Sequence, residues 1–205
     1  MAAQTNGSRC DAPRLLLVAG APASGKSVLS RQLSQRYAAA LCAKDALKEI
    51  LFETLGTGET LGLAPAQWSR SLSDASFALL FHLASTLLQC AGPPRVVVLE
   101  GNFRPGEHEA ALQELLTASG ARLIQVLCRA SPTTRAARLA ARRADPRRHP
   151  AHRDASIDAG APPPGFLELP GARQTLDTDS ETDSVGLAEL YRALDALLEL
   201  AAPAP

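Results

Sequence analysis

Residues 20–27 read Gly-Ala-Pro-Ala-Ser-Gly-Lys-Ser, an unbroken Gly-x-x-x-x-Gly-Lys-Ser. Nothing else in the chain limits its folding options so strongly. Gly20 and Gly25 permit backbone angles that a Cβ would forbid, so the loop Ala21-Pro22-Ala23-Ser24 between them can turn its available N–H groups inward around a polyphosphate. Lys26 sets a cation against the outer phosphates, and Ser27 offers a hydroxyl to the magnesium ion that accompanies them. The flanks have the context that this motif requires. Residues 14–20 form a short apolar run suited to a buried parallel strand. Residues 25–37 carry Val28, Leu29 and Leu33 at helical spacing. The loop therefore feeds a helix N-terminus, whose dipole favours anions.

The rest of the chain repeats that alternation. A strand is expected over 39–43, a helix over 45–55 and a Gly-rich loop over 57–64. One long helix follows over 65–90, with Pro65 in its first turn. Strands over 95–100, 122–128 and 173–177 alternate with helices over 107–119, 132–143 and 185–200. Such alternation implies a parallel sheet covered on both faces. Residues 144–165 lack apolar periodicity and are rich in Pro, Arg and His, which predicts a mobile lid. The first dozen residues and the tail beyond 201 are expected to fray.

At 205 residues the chain is expected to be a single domain, with a core over about 13–200 and a lid over about 132–165. Acidic and basic side chains balance at 21 each, which disfavours long nucleic acid as a partner. The basic residues are nonetheless uneven, since residues 129–153 hold eight arginines. The four cysteines (Cys10, Cys42, Cys90, Cys128) include no Cys-x-x-Cys pair. Cys42 and Cys128 lie in apolar strands, so they read as structural thiols in a reducing cytoplasm. The polar N-terminus shows no signal peptide, and no apolar stretch is expected to approach the ~20 residues of a membrane span.

Ligands of an open parallel sheet collect at the carboxyl ends of its strands. There this chain places the phosphate loop, Lys44-Asp45, Glu100-Gly-Asn-Phe-Arg104, Arg129 and Asp177-Thr178-Asp179. Asp45 reads equally well as a helix N-cap and as a carboxylate that accepts a proton from an acceptor hydroxyl. Glu100 either ends a strand at solvent or holds a magnesium-bound water, as a Walker-B-type acid does. Asn102 and Arg104 follow as acceptor-side candidates, although Gly101-Asn102 also suits a tight turn. Arg135, Arg138 and Arg142 recur at three and four residues and share a helix face. That face is either solvated or folds over the phosphates to neutralise charge during transfer. His149 and His152 lack the companions of a zinc site. Trp68, Phe77 and Phe81 read as core more readily than as an acceptor wall.

The phosphate loop, Lys44-Asp45-x-x-Lys48-Glu49, Val-Val-Leu-Glu-Gly-Asn-Phe and the arginine helix together resemble the small P-loop kinases. The resemblance covers about 13–200 and is closest to the AAA-type ATP-binding or zeta-toxin-like predicted kinases. It extends to chloramphenicol phosphotransferase and the kinase domain of phage polynucleotide kinase. It implies a three-layer fold whose five parallel strands run in the order 2-3-1-4-5. It also implies that residues 20–28 and Arg138 bind ATP, that Ser27 and Glu100 hold Mg2+, and that Asp45 is the base. Arg138 and Arg142 match the lid arginines. The Asp-x-Thr-Asn usual after the third strand is here Glu100-Gly-Asn-Phe, which argues against a polynucleotide acceptor.

The leading expectation is thus an ATP-dependent kinase, monomeric or homodimeric, acting on a sugar, nucleotide sugar, nucleoside or antibiotic. In the last case it would confer resistance. The alternatives are a nucleotide-binding switch that hydrolyses ATP slowly, and a polynucleotide 5′-kinase.

Overall fold

Successive residues of a strand point to opposite faces of its sheet. In β1 (Arg14–Gly20) both sets are apolar from Leu15 to Ala19, and all seven residues are buried. This is the signature of a strand covered on both sides. The computed structural model describes residues 12–90, 96–152, 157–180 and 184–199. Around β1 the order of elements is α1 (Lys26–Arg36), β2 (Ala40–Ala43), α2 (Lys44–Leu55), α3 (Pro65–Gln89) and β3 (Val96–Glu100). Then come α4 (Glu109–Ser119), β4 (Arg122–Arg129), α5 (Pro132–Ala144), β5 (Ala172–Asp177) and α6 (Ser184–Leu197). A short 3-10 turn, Glu59–Leu61, interrupts the predicted loop over 57–64.

The five strands are parallel and run β2-β3-β1-β4-β5, the predicted order. Leu15, Leu17 and Ala19 join one core layer with Leu80, Ala84 and Leu88 of α3 and Leu112 and Leu115 of α4. Leu16 and Val18 join the other, with Leu29 and Leu33 of α1 and Leu190 and Leu194 of α6. Each fully buried leucine contributes roughly 1.5–3 kcal/mol. The chain leaves β1 for the β2 edge, returns through β3, and then crosses to β4 on the other side. That reversal opens a crevice at the carboxyl end of β1. The register sets Glu100 of β3 level with Val18 of β1 and Ala43 of β2, so β2 and β3 end together two residues short of the end of β1.

Predicted and observed elements differ by a residue or two at most ends. Arg95, residues 1–11, the tail beyond 201 and residues 153–156 of the predicted lid lie outside the described residues. One expectation needs correcting. Helix α3 is by composition long and apolar enough to span a bilayer, with a mean hydropathy of 1.3 over its most apolar window. In the fold Leu72, Leu80, Ala84 and Leu88 are buried along it.

Candidate active site

The loop after β1 is shaped by two glycines. Gly20 has φ +147°, and a Cβ there would stand 2.5 Å from the Cys128 carbonyl oxygen. Gly25 caps α1 with φ +84°, and its Cβ would press on the Thr178 side chain at 3.3 Å. Between them Ala23 is held at φ 63°, a conformation that costs a residue with a Cβ and that persists where surrounding contacts impose it. Lys26 opens α1, is buried, and donates through Nζ to the Ala21 carbonyl at 2.9 Å. Burial lowers its pKa, and the nearby Glu100 carboxylate works against that shift.

Facing the loop is a cleft of about 270 Å³ whose walls include Lys26, Ser27, Lys44, Asp45, Glu100 and Arg142. Glu100 is 4% exposed and accepts from Ser27 Oγ at 3.4 Å. Burial raises its pKa, although the Lys26 ammonium pulls it down. The Glu100 carboxylate and Ser27 hydroxyl are two hard oxygen donors on one side of the cleft. They fit magnesium, which uses one or two carboxylates together with water and phosphate oxygens. The described residues contain no group of three or more His, Cys, Asp or Glu suited to a metal on their own.

Asp45 does not cap its helix, contrary to one of the two readings made from sequence. Helix α2 begins a residue earlier, at Lys44, and its cap is Ala43, which makes no side-chain bond. The Asp45 carboxylate instead stands in the first turn with its side chain 48% exposed, 3.4 Å from Lys44 Nζ. Partial burial pushes its pKa up, but Lys44, His152 and Lys26 outweigh that and hold it below the usual value. It is therefore an ionised carboxylate on the wall of the cleft.

The arginines of α5 divide by role. Arg135 is 2% exposed and donates through one Nη2 to the Ala159 and Ala161 carbonyls, tying the segment after α5 to the body. Arg138 donates to the Ala23 carbonyl at 3.3 Å and to the Thr178 carbonyl at 2.5 Å, so it braces the phosphate loop against the end of β5. Arg142 reaches the cleft itself. The solvated reading of this face therefore fails for Arg135, while Arg147 does point outward and pairs with Asp145. Beyond the loop, a second cavity of about 550 Å³ is lined by Val28, Leu29, Gln32, Arg138, Leu176 and Leu187. An apolar wall beside a phosphate loop suits a nucleobase.

Asn102 and Arg104 line the cleft as expected, though Arg104 pairs at its exposed end with Glu107. Phe103 between them is fully buried and contacts Phe77 and Phe81, which places that aromatic stripe in the core. Trp68 is also buried, with Nε1 donating to the Gly56 carbonyl at 2.8 Å. His82, by contrast, is exposed. The Arg129 side chain points to solvent, and its carbonyl accepts from the Thr178 N–H at 2.8 Å. His152 and His149 reach Glu49 and Glu53 of α2 at 2.5 and 3.4 Å, docking the segment after α5 beside Asp45. The sequence placed Thr178 at a strand end without a role, and its hydroxyl donates to the Ser24 carbonyl at 2.9 Å; sequence reasoning missed Ser69 and Ser73 on the acceptor side. Only the four-residue spacing of the two serines could have signalled them.

The AAA domain family model matches residues 15–161. Among curated proteins none matches this sequence. Among solved structures, a candidate kinase from Chloroflexus aurantiacus is 29% identical with a TM-score of 0.78, covering 90% of this chain and 98% of that one. The APS kinase of Mycobacterium tuberculosis, in complex with AMPPNP and APS, is 19% identical with a TM-score of 0.52, covering 91% and 98%. A gluconokinase from Sinorhizobium meliloti is 15% identical with a TM-score of 0.52, covering 94% and 99%. With its phosphate loop at the switch point of a 2-3-1-4-5 sheet, this chain belongs to the AAA domain family and has the fold of the small P-loop kinases.

Proposed function

We propose that the chain is a phosphotransferase that moves the γ-phosphate of ATP to a hydroxyl of a small molecule. The observation that carries this reading is Asp45, an ionised carboxylate with no capping role, in the same cleft as Lys26 and Ser27. Asp45 orients the acceptor hydroxyl and takes its proton. The acceptor oxygen bonds to the γ-phosphorus, the bond from phosphorus to the β,γ-bridging oxygen breaks, and ADP leaves with that electron pair. A carboxylate of low pKa is a weak base, so its main contribution is to hold the hydroxyl in line. Lys26 and Arg142 offset the charge spread over the transferring group. Ser27 and Glu100 would hold magnesium, which when bound neutralises phosphate charge. The second cavity takes the nucleobase, with Val28 against it. The segment after α5 acts as a lid. Cys42 and Cys128 are buried thiols in the strands, which fits a reducing, cytoplasmic setting.

Incubation with γ-labelled ATP and mixtures of sugars, nucleosides, nucleotide sugars, antibiotics and oligonucleotides tests the proposal. Label should pass to a small molecule faster than to water. Lys26→Ala should abolish transfer with an unchanged thermal melt. Release of label to water alone would replace the kinase by a nucleotide switch, and transfer to oligonucleotides alone by a polynucleotide kinase.

A further inference from the structure

The acceptor side of the cleft breaks three rules of helix electrostatics at once. Lys44 occupies the first position of α2, where the positive end of the helix dipole disfavours a cation. Lys48 follows one turn later, and like charges at that spacing repel. Both are nearly buried, at 7% and 6% exposed, where an ammonium loses hydration. Local rules are broken where function requires it. Against these lysines, α3 sets two hydroxyls at the same four-residue spacing. Lys48 Nζ donates to Ser69 Oγ at 2.8 Å, and Lys44 Nζ to Ser73 Oγ at 3.3 Å. Ser69, accepting from Lys48, keeps its own proton to donate. All four side chains line the cleft that holds Asp45.

The charge of this cleft is out of keeping with the chain. The whole molecule is neutral, yet these walls carry Lys26, Lys44, Lys48, Arg104, Arg142 and Arg148 against Asp45 and Glu100. Lys26 lies in the phosphate loop and Arg142 on α5, which Arg138 braces against that loop. Lys44 and Lys48 belong to α2, the element that carries Asp45, and so they lie with the proposed base rather than within the loop. We propose that the acceptor brings an oxyanion of its own, a phosphate ester or a carboxylate, and that Lys44, Lys48, Ser69 and Ser73 bind it while Asp45 engages the hydroxyl. This rests on the kinase reading for its chemistry, but the anion site can be tested without turnover.

Two measurements decide it. First, transfer from ATP is compared for matched acceptors: ribose with ribose 5-phosphate, adenosine with AMP, and glucose with glucose 6-phosphate and gluconate. The anionic members should be used at least tenfold better in kcat/KM, and the phosphate and carboxylate arms identify which oxyanion is read. Lys48→Met should raise KM for the anionic acceptor tenfold or more, leave KM for ATP within twofold, and be partly rescued by Lys48→Arg. Second, the protein saturated with Mg-AMPPNP is titrated calorimetrically with inorganic phosphate. It should bind phosphate at one further site that Lys48→Met and Lys44→Met lose. Preference for neutral acceptors would overturn the proposal and leave the kinase reading intact. No phosphate site in the AMPPNP-loaded protein, or weakened AMPPNP binding in Lys48→Met, would overturn it as well. A phosphate site lost in the lysine variants, without transfer to any acceptor, would support the oxyanion site and count against the kinase reading.

Discussion

At the residue scale, two carboxylates share one cleft with pKa values shifted in opposite directions. Asp45 is held below its usual range, whereas burial lifts Glu100 above its own. Asp45→Asn keeps size and removes charge. It should leave ATP affinity nearly unchanged and cut phosphoryl transfer by about 10²–10⁴-fold, the effect of losing a positioned base. Because Ala43 is the cap and the Lys44 contact is half-exposed, the thermal melt should move little. Normal transfer rates would remove Asp45 from the mechanism. Glu100 has the opposite sign in stability. Its folded pKa lies above the unfolded value of about 4.3, so its ionisation opposes folding. That cost is absent at pH below the unfolded value and grows as pH rises through the folded one. Glu100→Gln should therefore melt higher than the parent at pH 7–8, by about 2–4 °C if the gain is 1 kcal/mol at this length. The difference should vanish in acid, while magnesium-dependent turnover is lost. A lower melt at pH 8 would mean that the Ser27 contact outweighs the buried charge.

At the scale of elements, α5 separates bracing from chemistry on a single face. Arg138 holds Ala23 and Thr178 together, whereas Arg142 reaches the cleft. Hydrogen bonds from a charged donor are worth about 1.5–3 kcal/mol each, so Arg138→Ala should lower the melting temperature and ATP affinity together. Arg142→Ala should leave the melt unchanged and reduce kcat by roughly 10²–10³-fold, as expected when one group aimed at developing charge is removed. Calorimetric melts beside steady-state kinetics for both variants check the division, and equal loss of stability in the two would abolish it. The three-and-four spacing placed these arginines on one face. It could not say which would brace and which would reach the cleft, because that depends on where β5 ends.

At the scale of the molecule, the segment that follows the lid is fastened by an unexpected residue. Gln125, in the middle of β4, is buried, and its amide exchanges two bonds with the backbone of Leu167, at 2.9 and 3.1 Å. Leu167 and Leu169 then complete one core layer. Gln125→Leu strands the Leu167 N–H, while the Leu167 carbonyl keeps the Leu169 N–H and Arg173, and should cost about 1–3 kcal/mol in denaturant unfolding, an unmade buried bond being expensive. An unchanged midpoint would show that the segment is held without it. From sequence alone Gln125 was only a polar letter in an apolar run. What the sequence determined by itself was whatever repeats locally: the phosphate loop between a strand and a helix, the alternation that requires a covered parallel sheet, and the face shared by Arg135, Arg138 and Arg142. These follow from backbone periodicity and from spacing within a few residues. Only the tertiary structure decided that α2 starts at Lys44 and frees Asp45 from capping, since a helix end is set by what its first turn packs against. It also decided that Thr178 braces a loop more than 150 residues earlier, and that Ser69 and Ser73 face Lys48 and Lys44. Those pairings join elements far apart in the chain, and no local pattern encodes a distance that forms only when the sheet closes its layers.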